Sequence, residues 1–241
     1  MNPFKKLASQ TAIYGLPTIV GRLLNYLLVP LYTNVFSPGE YGVVTELYAY
    51  VAFLGVLLTY GMETALFRFS EGQANKENVF STALIALFTS SLVFLLLIFI
   101  FLKPLAAAMR YQTHPEYLMW FAIIIAFDAI TAVPFAKLRQ ANRPKVFAII
   151  KSGNIFLNIL FNLFFIVFCA RIYQQPNSLL FPLISKIYSP QIGIGYIFIS
   201  NLLASAATFL MLLPGLLKVR YQLDKKLLKQ MLIYSFPLLI A

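Results

Sequence analysis

Six apolar blocks, each about as long as a bilayer is thick, constrain this chain more than any other feature of its sequence. They run over residues 9–34, 43–67, 79–102, 117–136, 146–170 and 192–217. A helix rises about 1.5 Å per residue, so each block meets the roughly 20 residues that a hydrocarbon core of about 30 Å demands. With no water in that core, every backbone N–H and C=O must pair within its own segment. The predicted fold is therefore an all-α polytopic membrane protein. Only 11% of residues are charged and the mean hydropathy is +0.80, a composition too apolar for an ordinary water-soluble domain. A seventh block opens at Leu227, and a helix from there to Ala241 is only about 22 Å long, short of a full crossing. The expectation is a chain truncated within a longer protein.

The basic residues set the orientation. Nineteen Lys and Arg against eight Asp and Glu would suggest nucleic acid in a soluble chain, but here most of them sit between the apolar blocks. With the N-terminus in the cytoplasm, fourteen fall on that side, four (Lys103, Arg110, Arg171 and Lys186) fall on the other, and Arg22 lies within a span. This bias predicts a cytoplasmic N-terminus and no nucleic-acid partner. The basic links 137–145 (KLRQANRPK) and 218–226 (KVRYQLDKK) are expected to be turns at the membrane surface. The longest outer loop, 172–191, contains LLFPLISKIY and is expected to lie in the interface.

A second feature concerns how the spans are grouped. Residues 5–20 and 225–240 match at a constant offset, sharing Lys5/Lys225, Lys6/Lys226, Leu7/Leu227, Gln10/Gln230, Ile13/Ile233, Tyr14/Tyr234 and Pro17/Pro237. Six crossings return the chain to its starting side, so such a repeat is parallel and its copies are related by an axis along the membrane normal. The predicted domains are a six-helix lobe at 1–218, and a link with the opening helix of a second lobe at 219–241. Two such lobes would face each other across a cleft, so the expected partners include the second lobe of the same chain and the surrounding membrane lipids.

The sequence excludes several chemistries. Cys169 and His114 are each the sole residue of their type, and no metal-ligand spacing, nucleophile-base pair or glycine-rich phosphate loop occurs. The expectation is no enzyme, no metal and no cofactor, apart from a coupling H+ or Na+.

Polar groups within the spans supply the candidate site. Arg22, near the middle of the first span, costs about 2.5–3.5 kcal/mol there by insertion scales and must face protein or a wet cavity. Thr18, Arg22, Asn25 or Tyr26, and Thr33 share one helical face, and a guanidinium in a wet cleft suits phosphate because its donors hold two oxygens at once. The competing reading pairs Arg22 with Asp128 or Glu63 to lock the bundle. Those two carboxylates can carry a coupling proton or sodium ion, or serve only as structural partners. Lys151, Asn154, Asn158 and Asn162 follow spacings of three, four and four and form one stripe, either a polar path for sugars or glue between helices. Ser200, Ala204 and Thr208 read as a close-packing ridge. Tyr32, Tyr41, Tyr111, Tyr117, Trp120, Tyr173 and Tyr188 read as an interfacial belt, and Glu46 as interfacial.

The order of these features resembles one family. The Gly15 to Pro17 bend, the Pro30 to Thr33 exit, the FSPGEYG link at 36–42, the Gly61-Met62-Glu63 to Arg68 ending and the KLRQANRPK link are similar to the polysaccharide transporter family. These are oligosaccharide flippases of the multidrug/oligosaccharidyl-lipid/polysaccharide exporter superfamily. The resemblance implies two six-helix lobes that alternate access in a bacterial cytoplasmic membrane. It implies as substrate an undecaprenyl-pyrophosphate-linked oligosaccharide repeat unit for O-antigen, capsule or exopolysaccharide, with Arg22 positioned to meet the pyrophosphate. An ion-coupled multidrug exporter and a non-transporting scaffold for glycan assembly are the alternatives; an arginine at the centre argues against the first, and buried polar stripes against the second.

Overall fold

The link Phe36-Ser37-Pro38-Gly39-Glu40 shows how locally each helix is specified. The Ser37 hydroxyl accepts from the Glu40 backbone N–H, while the Glu40 carboxylate accepts from the Ser37 N–H at 2.9 Å and Oγ at 2.7 Å. This reciprocal cap, with Pro38 in the first turn, satisfies donors that a helix start leaves unpaired. A computed structural model describes residues 15, 19–21, 23, 24, 26–71 and 76–237. Its helices are α1 (closing over residues 26–35), α2 (Pro38–Thr59), α3 (Met62–Glu71), α4 (Lys76–Ile100), α5 (Leu102–Ala108), α6 (Glu116–Gln140), α7 (Pro144–Asn162), α8 (Ala170–Tyr173), α9 (Phe181–Ile187), α10 (Gly195–Leu216) and α11 (Lys225–Ser235). A π-helical stretch, Leu163–Cys169, joins α7 to α8 without a break. Among the described residues, five helical segments are long and apolar enough to cross a bilayer, which makes this a multi-pass, all-α membrane protein.

Helix α6 is the hub. In its most apolar window 67% of residues are buried, against 11% for the α2–α3 segment and 22% for α4, so its neighbours turn most of their side chains outward. Outward residues such as Phe53, Leu96 and Phe99 are half or more exposed, as a lipid-facing surface requires. Helices α2, α4 and α10 pack on α6, and α7 packs on α10. Two cores result. One, at the end carrying the basic links, gathers Met62, Leu66, Val79, Leu87, Val133, Leu216, Leu227 and Met231; the other gathers Leu28, Tyr32, Leu47, Tyr117, Phe121 and Phe198 at the opposite end.

Several expectations need correction. The second span is not one helix over 43–67: it begins at Pro38 and breaks at Tyr60-Gly61, where both residues take left-handed φ values of 34° and 66°. The break is closed from outside, since a Cβ on Gly61 would lie 3.1 Å from the Ser235 carbonyl of α11. Three supposed belt tyrosines are buried instead, with Tyr32 and Tyr111 8% exposed and Tyr117 4%. The Tyr111 hydroxyl donates to Glu46 at 2.9 Å and that of Tyr117 to the Ile192 carbonyl at 3.0 Å; burial and the Glu46 carboxylate push the Tyr111 hydroxyl's pKa upward. The basic link at 218–226, expected as a turn at the membrane surface, is pinned to α4. Ser81 Oγ accepts from the Gln222 N–H at 2.7 Å, Thr82 Oγ1 accepts from that of Asp224 at 3.2 Å, and Asp224 in turn caps α11. Likewise, the link at 137–145 is helical through Gln140, turns at Asn142 and re-enters a helix at Pro144. Most of the first repeat copy, residues 5–20, lies outside the described residues.

Candidate functional site

Two adjoining chambers run along one side of the helix bundle, one charged and one neutral. The charged chamber, about 420 Å³, opens at the basic end. Helix α6 lines it with Asp128, Thr131, Phe135 and Arg139, spaced so that all four share one face. Helix α7 adds Phe147, Lys151 and Asn154, α10 adds Asn201, Ser205 and Thr208, and α3 adds Glu63. Asp128 sits deep among these helices yet is exposed to the chamber; its Oδ1 accepts from Ser205 Oγ at 3.0 Å. The half-buried Lys151 holds its Nζ 4.5 Å from the centre of the Phe135 ring, a cation–π contact, and attracts Asp128 across the chamber. Among the described residues no carboxylate lies within ion-pair distance of Lys151. Glu63 differs in this respect, because its carboxylate is ion-paired with the Arg139 guanidinium, which also lies near the rings of Phe67 and Phe147.

The neutral chamber, about 400 Å³, lies toward the opposite end. It is lined by Leu28, Val29 and Tyr32 of α1, by Tyr41, Val44, Thr45 and Tyr48 of α2, by Asn154, Ile155 and Asn158 of α7, and by Ile197 and Asn201 of α10. Asn154 and Asn201 line both chambers and so form the divide between them. Each amide is fixed by a hydroxyl: Asn201 Nδ2 donates to Tyr48 Oη at 3.0 Å, and Asn154 Nδ2 to Thr208 Oγ1 at 2.9 Å, with Thr208 donating onward to the Ala204 carbonyl. Tyr32 donates to Asn162 Oδ1 at 2.8 Å, and Asn162 Nδ2 donates to the carbonyl and Oδ1 of Asn158. In the amide stripe of α7, Asn162 therefore serves as glue between helices, while Asn154 and Asn158 line a chamber.

A family model described as polysaccharide biosynthesis protein matches residues 33–241. The chain belongs to that family. Comparisons with curated proteins and with solved structures give no match.

In this polysaccharide biosynthesis protein the predicted site residues divide into three groups. Lys151, Asn154, Asn158, Asp128 and Glu63 all line the chambers. Tyr26 does not; it is 72% exposed, and Tyr32, Tyr41 and Tyr48 are the tyrosines that line the neutral chamber. Thr18, Arg22 and Asn25 lie outside the described residues. The sequence reading missed Tyr48, Thr45, Asn201 and Ser205, and it took Thr208 for packing alone. A signal was present, because Tyr41, Thr45 and Tyr48, like Asn201, Ser205 and Thr208, recur at spacings of four and three and mark one helical face. Among the described residues no three His, Cys, Asp or Glu side chains gather to hold a metal.

Proposed function

We propose that this protein is one lobe of a flippase that moves a lipid-linked oligosaccharide repeat unit, carried on undecaprenyl pyrophosphate, from the cytoplasmic to the outer leaflet of a bacterial cytoplasmic membrane. The observation that carries the reading is the pair of adjoining chambers, which share Asn154 and Asn201 and carry charged, amide and hydroxyl groups within a bundle whose outer surface is apolar. Charged and amide groups are expensive at membrane depth and are retained where a path for a polar solute uses them. Lys151 faces the charged chamber at the basic, cytoplasmic end and offers an ammonium to a phosphate; Arg22 is the second cation assigned to it, on the resemblance above. A second lobe, facing this one, would complete the passage and alternate its access between leaflets. Family membership weighs against the multidrug exporter, and the polar chambers weigh against a mere scaffold.

The test is export of the polysaccharide in cells whose only copy carries Lys151→Met. At unchanged membrane abundance, export is expected to fall at least tenfold, and Lys151→Arg, which keeps the cation, is expected to recover most of it. Full export by Lys151→Met would remove Lys151 from the mechanism.

A further inference from the structure

The two chambers differ in chemistry along a single axis, and that difference bears on how a substrate would lie. On α7, Lys151 precedes Asn154 by three residues and Asn158 by seven, which places the amides about 4.5 and 10 Å farther along the helix. A phosphate held by Lys151 thus leaves an attached sugar within reach of the divide and of the neutral chamber beyond it. There the described lining carries hydroxyls, amides and three tyrosines, and no charged side chain.

We infer that the neutral chamber is a sugar subsite that reads the saccharide nearest the pyrophosphate by ring stacking and hydrogen bonds. This rests on the flippase reading and assigns the parts of its substrate to separate places. A pyranose has one face of C–H bonds and a rim of hydroxyls. The electron-rich ring of Tyr41 suits the first, and the Tyr48 hydroxyl, whose ring is held against Phe121 and Phe198, suits the second together with Asn158, Asn201 and Thr45. Tyr48 and Asn201 are already oriented by their mutual hydrogen bond, so little order is lost when a ligand arrives. The Thr45 hydroxyl bonds only to the carbonyls of its own helix, Tyr41 at 3.4 Å and Gly42 at 2.8 Å, and this exposed side chain can be enlarged without disturbing the core. The phosphate contact is electrostatic and weakens with salt, whereas the sugar contact is not.

The full-length protein in lipid nanodiscs is titrated with undecaprenyl pyrophosphate and with undecaprenyl pyrophosphate bearing one N-acetylglucosamine, at low and high salt. Two further hydrogen bonds should make the sugar-bearing lipid about tenfold tighter, and that ratio should persist at high salt while both affinities fall. Tyr48→Leu and Thr45→Trp should each bring the ratio below twofold with little change for the bare lipid; Thr45→Trp does so by filling the chamber, and tests the idea even where Tyr48→Leu disturbs folding. Lys151→Met should weaken both lipids alike. A ratio near one in the wild type, or one untouched by Thr45→Trp, overturns the sugar subsite and leaves the flippase reading standing. Failure of the wild type to bind either lipid overturns both.

Discussion

The amide of Asn162 illustrates how much one side chain can settle inside a membrane bundle. It is fully buried, accepts from Tyr32 of α1 and donates back to Asn158, at the point where α7 gives way to a π-helical stretch. Buried polar atoms cost most when they lose a partner. Tyr32→Phe removes the donor and leaves Asn162 Oδ1 unsatisfied, so it is expected to destabilise the bundle by about 0.6–1.7 kcal/mol, the range found for hydrogen bonds between membrane helices. Reversible unfolding of the purified protein in mixed micelles measures this, and wild-type stability in the Phe variant would show that the contact contributes nothing. Tyr32 was legible as a tyrosine near a span boundary but not as a buried one. Boundary position is a matter of hydropathy, whereas burial depends on which neighbour the helix turns toward.

At the scale of elements, five of the six expected spans were legible at their approximate limits because these follow from apolar length, and much of the first, 9–34, lies outside the described residues. The break in the second span was not legible, since apolar length sets the limits of a block and not its interior, and the drop in hydropathy at Thr59-Tyr60-Gly61 after VAFLGVLL was absorbed into the span. Its cause is tertiary: α11 buries Leu227, Met231 and Ser235 against α3 and α4, and the Ser235 backbone abuts Gly61. For the same reason the chamber faces of α2 and α10 escaped notice, as tyrosine, threonine and asparagine at helical spacing announce a face but not what it faces. Gly61→Val would place a branched side chain at φ 66° and against that carbonyl. The left-handed strain alone is about 1–2 kcal/mol, with the steric clash added to it. Lower thermal stability and faster proteolysis between α10 and α11 are expected, and a Gly61→Val protein as stable and as protease-resistant as wild type would mean that α11 does not depend on this turn.

On the flippase reading, the question for the whole molecule is which charges hold the bundle together and which meet the substrate. Asp128 and Lys151 face one another across open space, whereas Glu63 and Arg139 are joined as an ion pair that ties α3, just beyond the break, to the end of α6 at the mouth of the charged chamber. Breaking such a pair leaves a charge uncompensated, while exchanging its members preserves the attraction, so the two roles separate experimentally. Glu63→Arg and Arg139→Glu are each expected to lower abundance and export together, and the double exchange to recover at least half of both. Asp128→Lys with Lys151→Asp should behave otherwise, restoring abundance but not export, because there the position of each charge relative to the solute matters as well as its partner. Recovery of abundance without export in the Glu63/Arg139 exchange would instead make Glu63 an ion carrier and move the working charges of the lobe to its mouth.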